Sequence, residues 1–65
     1  MIVISKDYAF NMDYVIHWTT SHGGKGTTLT FADAKTVYIN CALDVFNDQY
    51  RMAQDDGLKI FWLEY

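Results

Sequence analysis

Residues 32–57, ADAKTVYINCALDVFNDQYRMAQDDG, decide the fold: they hold the one run long enough for a sizeable helix, and its start is ambiguous. Set on a wheel at about 100° per residue, Tyr38, Ile39, Ala42, Leu43, Val45, Phe46, Tyr50, Met52 and Ala53 fill one broad arc. Asn40, Asp44, Asp48, Arg51 and Asp55 fill the narrower remainder, with Asp33 about three turns upstream on the same line. Thr30-Phe31-Ala32-Asp33 has the composition of a helix start, since Thr30 can cap and Asp33 favours the positive helix end. Against that start, Val37 falls among the acids, Lys35 falls among the hydrophobes, and Thr36-Val37-Tyr38-Ile39 is strand-like. The pattern predicts a helix that is firm over 40–54 and broken, kinked or partly extended over 32–39. Gly57 suits the position just past its C-terminus.

Outward from the helix the chain alternates in the strand manner. Met1 to Ser5 is a short β-branched run, and residues 6–13 read as a turn or a single helical turn. In Tyr14 to Thr20, period two puts Tyr14, Ile16 and Trp18 on one side and Val15, His17 and Thr19 on the other. After the glycine loop Ser21 to Gly26, Thr27 to Phe31 returns with Leu29 and Phe31 sharing a side, which makes a hairpin. Leu58 to Tyr65 is the last strand, with Leu58, Ile60 and Trp62 on one face and Phe61, Leu63 and Tyr65 on the other. The expected class is α+β: one small antiparallel sheet of about four strands, in the order β-β-β-α-β, packed on one main helix, possible short helical turns aside. A single domain over 1–65 follows from the length.

The first and last strands are apolar on both faces, yet one helix covers only one face of a sheet. Either residues 6–13, with Tyr8 and Phe10, fold over the second face, or a partner does. Trp18 and Trp62 are both expected as core anchors, and an exposed one would be a natural contact hot spot.

Composition narrows the function classes. The chain has 65 residues, 8 acids against 5 bases, no proline and one cysteine. A net charge of −3 argues against direct nucleic-acid binding and against a basic membrane-surface helix. The apolar N-terminal run is too short for a signal-peptide core, and nowhere do about 18 apolar residues run together. Cys41 reads as a small buried hydrophobe, consistent with a reducing, cytoplasmic setting. With no disulfide possible and no structural metal expected, two tryptophans, five tyrosines, four phenylalanines and the aliphatics must supply the core.

No catalytic constellation stands out. His22-Gly23-Gly24-Lys25-Gly26-Thr27-Thr28 superficially resembles a phosphate loop, but Gly26 follows the lysine and a strand replaces the required helix. Ser21 and His22 with a distant aspartate would need a rigid base and an oxyanion site, which a glycine-flanked hairpin tip does not hold. His17, His22 and Cys41 match no metal-ligand spacing. Neither a cofactor nor enzymatic activity is expected.

The acids are the more informative pattern. Asp33, Asp44, Asp48 and Asp55 share one narrow sector, and Asp56 adjoins the last. A merely solvated face usually mixes lysine and glutamate in helix-stabilising pairs; this one holds aspartates, with Arg51 alone opposing them. Asp55 and Asp56 also fall at the helix C-terminus, where the dipole disfavours negative charge. Rows of carboxylates on a rod can imitate phosphate spacing and occupy a basic groove.

In layout the chain resembles the small acidic phage-encoded anti-CRISPR proteins. The resemblance is carried by the hairpin Tyr14 to Phe31, the helix start at Thr30-Phe31-Ala32-Asp33-Ala34, the acidic helix and the terminal strand Gly57 to Tyr65. It implies a stoichiometric inhibitor, acting in a bacterial host, that binds a CRISPR effector complex or a similar nucleic-acid-handling complex and blocks nucleic-acid access. It assigns no individual residue. On the reading of the residues themselves, Asp33, Asp44, Asp48, Asp55 and Asp56 would meet the partner's Lys and Arg, with the protein as a monomer. The alternative is a structural or regulatory homodimer or assembly subunit that uses an apolar sheet face.

Overall fold

The first sheet is set by pairing between the two ends of the chain. In the computed structural model, which describes residues 1–65, β1 (Ile2–Ile4) lies between β2 (Ala9–Asn11) and β6 (Ile60–Trp62). β1 pairs antiparallel with β2 and parallel with β6, so Val3 sits level with both Phe10 and Phe61. These three side chains point to one face and are buried. Ile2, Ile4, Ile60 and Trp62 therefore share the opposite face. Residues 6–13 do not fold over that face, as one sequence reading has it. Ser5 and Tyr8 close a tight turn through the Ser5 hydroxyl, which donates to the Tyr8 carbonyl and accepts from the Tyr8 N–H. That turn sends Ala9–Asn11 back as a strand of the same sheet, with Phe10 in the core.

The second sheet is the antiparallel meander β3 (Val15–Ser21), β4 (Gly26–Phe31) and β5 (Thr36–Ile39). A bulge at Ile16 lets Val15 pair with Phe31 and His17 with Thr30. One extra residue on β3 resets the alternation. Tyr14 and Ile16 are exposed in consequence, while Trp18 turns inward onto the helix, correcting the expected Tyr14/Ile16/Trp18 face. Short 3₁₀ turns at Met12–Tyr14 and His22–Gly24 flank β3. At the tip His22, Gly23 and Gly24 all take positive φ, and the His22 ring lies 4.1 Å from that of Tyr38. The tip of the Tyr38 ring occupies the space that a Cβ on Gly26 would need, so a larger residue there would have to displace it.

The helix start expected at Thr30–Asp33 is instead a hairpin connection. Ala34 N–H donates to Phe31 O at 2.9 Å, Phe31 N–H donates to Lys35 O at 2.8 Å, and Ala34 takes φ 71°. Ala-Asp-Ala-Lys favours helix locally, but Thr36-Val37-Tyr38-Ile39 finds a complete partner in Thr27–Thr30, and the ladder overrides the propensity. Of the open alternatives for 32–39, the extended one holds. Thr27 is fully buried and donates its hydroxyl to Cys41 O at 2.7 Å. That bond holds Asn40–Ala42 as connecting chain, so α1 runs Leu43–Asp55 and begins three residues later than the sequence pattern.

Phe46 and Ala53 are the buried residues of α1, and Trp18 stands edge-on to Phe46 (6.0 Å) and Tyr50 (5.6 Å). The Trp18 indole N–H donates to Asn47 at 2.8 Å. Gly57, at φ 68°, reverses the chain as expected: Leu58 N–H returns to Ala53 O and Gly57 N–H to Gln54 O, both at 3.0 Å. The Gln49 amide then grips the backbone of Glu64, accepting from its N–H at 2.8 Å and donating to its carbonyl. The class is α+β as expected, but the single antiparallel sheet of about four strands is corrected to two three-stranded sheets, the first of them mixed because β1 and β6 pair in parallel; ten buried apolar residues form one cluster.

Candidate functional site

Two surfaces carry the candidate chemistry. The first is the outward face of α1. Positions 44, 48, 51 and 55 follow one line along it, opposite buried Phe46 and Ala53. The line reads Asp, Asp, Arg, Asp, and Arg51 reaches Asp48 at 3.3 Å. Asp44, in the first turn, accepts from the N–H of Val45 at 2.9 Å. Asp55 ends the helix, and Asp56, its C-cap, steps off the line; neither makes an ion pair.

Asp33 belongs to none of this. It lies in the β4–β5 connection, where it accepts from Lys35 N–H at 3.1 Å and faces the Lys35 ammonium at 3.9 Å. The expected row of aspartates is corrected at Asp33, which sits on a different element because β5 replaced the helix start; Arg51 opposes the row as expected, by pairing with Asp48. Asp33 instead borders an open cleft of about 490 Å³, walled by Phe10, Tyr14, Phe31 and Val37.

The second surface is apolar. Trp62 is 71% exposed and Ile60 53%, on the edge strand of the first sheet beside half-buried Ile2 and Ile4. This overturns Trp62 as a core anchor. Because both faces of β6 are apolar, period two fixes which residues share a side but not which side is inside. Pairing of Phe61 with Val3 decides it. Around Trp62 the surface continues to exposed Met52 at the end of α1 and to Leu58. The sequence signal for this surface was the two-sided hydrophobicity of the first and last strands.

The nucleophiles are dispersed. His17 is exposed on β3, His22 is at the hairpin tip, and no three His, Cys, Asp or Glu side chains gather as metal ligands would. Cys41 is buried; burial first, and the nearby Asp44 carboxylate second, push its thiol above the ordinary range. The native thiol is therefore protonated at neutral pH, and Cys41 is expected to resist alkylation until the chain unfolds. The linkage has a definite sign. The folded state holds the thiol proton more tightly, so stability falls as pH rises past the unfolded thiol's value of about 8.5. Urea titrations at rising alkaline pH check this, because Cys41→Ala should remove that part of the decline.

No helix is long and apolar enough to cross a membrane. No family model matches the chain, and no curated protein or solved structure matches it.

Proposed function

We propose that this protein acts by binding another protein stoichiometrically and without turnover, as a small regulatory or assembly subunit, through the outer face of its first sheet. The observation that carries this reading is Trp62, 71% exposed beside Ile60 on an edge strand whose inner face is already fully used. Leaving an indole and an isoleucine in water forgoes a few kcal/mol of burial, and tryptophan is the residue most enriched at contact centres. A contiguous exposed apolar surface of this kind marks an interaction site.

A second reading, occlusion of a basic nucleic-acid-handling complex in the anti-CRISPR manner, keeps support from Asp44, Asp48 and Asp55 on the solvent face of α1, with Asp56 beside them. Arg51 within that line weakens it as an imitation of phosphates. Carboxylates so placed would act mainly on association rate and would lose effect with salt.

Capture of a partner by the tagged protein separates the two. If Ile60→Ser loses the partner while Asp44→Lys/Asp48→Lys keeps it, the sheet face is the contact. The opposite pattern hands the role to the helix face. Sedimentation at micromolar concentration shows whether the partner is a second copy.

A further inference from the structure

Resting on the protein-binding reading above, we infer that the partner is a different protein and that it inserts an arginine side chain into the cleft beside Trp62. The cleft holds about 360 Å³ where the end of α1 meets the start and end of β6. Its apolar lining residues include Met52, Leu58 and Trp62; the acidic residues Asp56 and Glu64 also border it, and no basic residue does. Neither carboxylate is engaged in an ion pair.

Three features of this cleft favour the same occupant. An exposed indole face attracts a cation, a planar guanidinium especially. The methylene stem of arginine can lie along Met52 and Leu58 while its head stays polar. Asp56 is the C-cap of α1, so its carboxylate adds negative charge to the negative end of the helix, and a cation placed there relieves both. The chemistry thus selects a long, apolar-stemmed, planar cation.

A second copy does not supply it. The chain's single arginine, Arg51, is turned to Asp48 at 3.3 Å. Lys6 lies 4.7 Å over the Tyr65 ring and Lys35 faces Asp33, which leaves only Lys25 and Lys59 without such a neighbour. Two copies each carrying a net charge of −3 also repel.

The test uses the ¹⁵N-labelled full chain titrated with the blocked peptide Leu-Arg-Leu-Arg-Leu and with versions carrying glutamine or glutamate in place of arginine. The expected result is a saturable shift of the Trp62 indole N–H with the arginine peptide. Binding should be roughly tenfold weaker for the glutamine version and absent for the glutamate version. Asp56→Asn/Glu64→Gln should remove the preference for arginine without lowering the melting temperature, since Asp56→Asn also relieves the negative end of α1. Equal shifts with all three peptides, no shift with any, or a preference unchanged in the double variant each overturn the inference. So do shifts that grow with protein concentration alone, which would put a second copy in the cleft. Failure here with partner capture still lost in Ile60→Ser leaves the sheet-face reading standing. Arginine-selective shifts with capture unaffected by Ile60→Ser would instead count against that reading and support the cleft.

Discussion

Replacing Phe46 with alanine is expected to remove most of this protein's stability. The side chain is 0% exposed and packs against Trp18 and Tyr50 where α1 meets the second sheet. Truncating a buried phenylalanine costs about 3–5 kcal/mol, the lost transfer energy plus the cavity left behind. At the usual 0.05–0.15 kcal/mol per residue, a chain of 65 residues has roughly 3–10 kcal/mol in total. The variant should melt some 15–30 °C lower and populate the unfolded state at room temperature. Thermal and urea unfolding followed by far-ultraviolet circular dichroism measures this directly. A drop of less than about 5 °C would mean that Trp18 and Tyr50 collapse into the space and that the helix is not anchored there.

Replacing Trp62 with alanine is expected to do the reverse: stability should stay within about 0.5 kcal/mol, the range of ordinary surface substitutions. The residue removed is larger than Phe46, but most of its surface already faces water, and the sheet hydrogen bonds around it are made by backbone. Affinity for the captured partner should fall by at least about 2 kcal/mol, some thirtyfold, as truncating a central aromatic anchor does. Melting curves and a binding titration of the same purified variant decide it. If Trp62→Ala melts as Phe46→Ala does, the indole is structural and the sheet-face reading fails. If it melts like the parent and binds like the parent, the contact lies elsewhere. Two aromatic truncations with opposite signatures separate the core of this molecule from its working surface.

The aspartates illustrate how far pattern reading reaches. Asp44, Asp48 and Asp55 were placed correctly relative to one another because they sit on an uninterrupted helix, where spacing translates directly into angle. Asp33 was not, because its place on that line assumed that the helix extended back through 32–39. Nothing local to Ala32–Lys35 argues against helix; the competing force was four ladder positions on β4, contributed by residues up to twelve positions away. Trp62 fails for a different reason. Its neighbours in sequence state that it opposes Phe61, and they state nothing about which of the two meets Val3. The bulge at Ile16 is a third case, since one unpaired residue reverses the face of everything before it.

Local chemistry, readable in one dimension, determined that this chain has one acidic amphipathic helix over its second half, ended by Gly57, and a glycine-tipped hairpin before it. It also determined that the terminal strands are apolar on both sides, so that some hydrophobic surface would remain after one helix had packed. These properties depend on contacts within a few residues. Tertiary structure alone decided that residues 36–39 are a strand, that the first and last strands lie side by side in parallel, and that Trp62 faces outward at a cleft bordered by Asp56 and Glu64. Each of those depends on which distant segment supplies the hydrogen bonds and the apolar cover, and such a choice is made only when the whole chain competes for one small core.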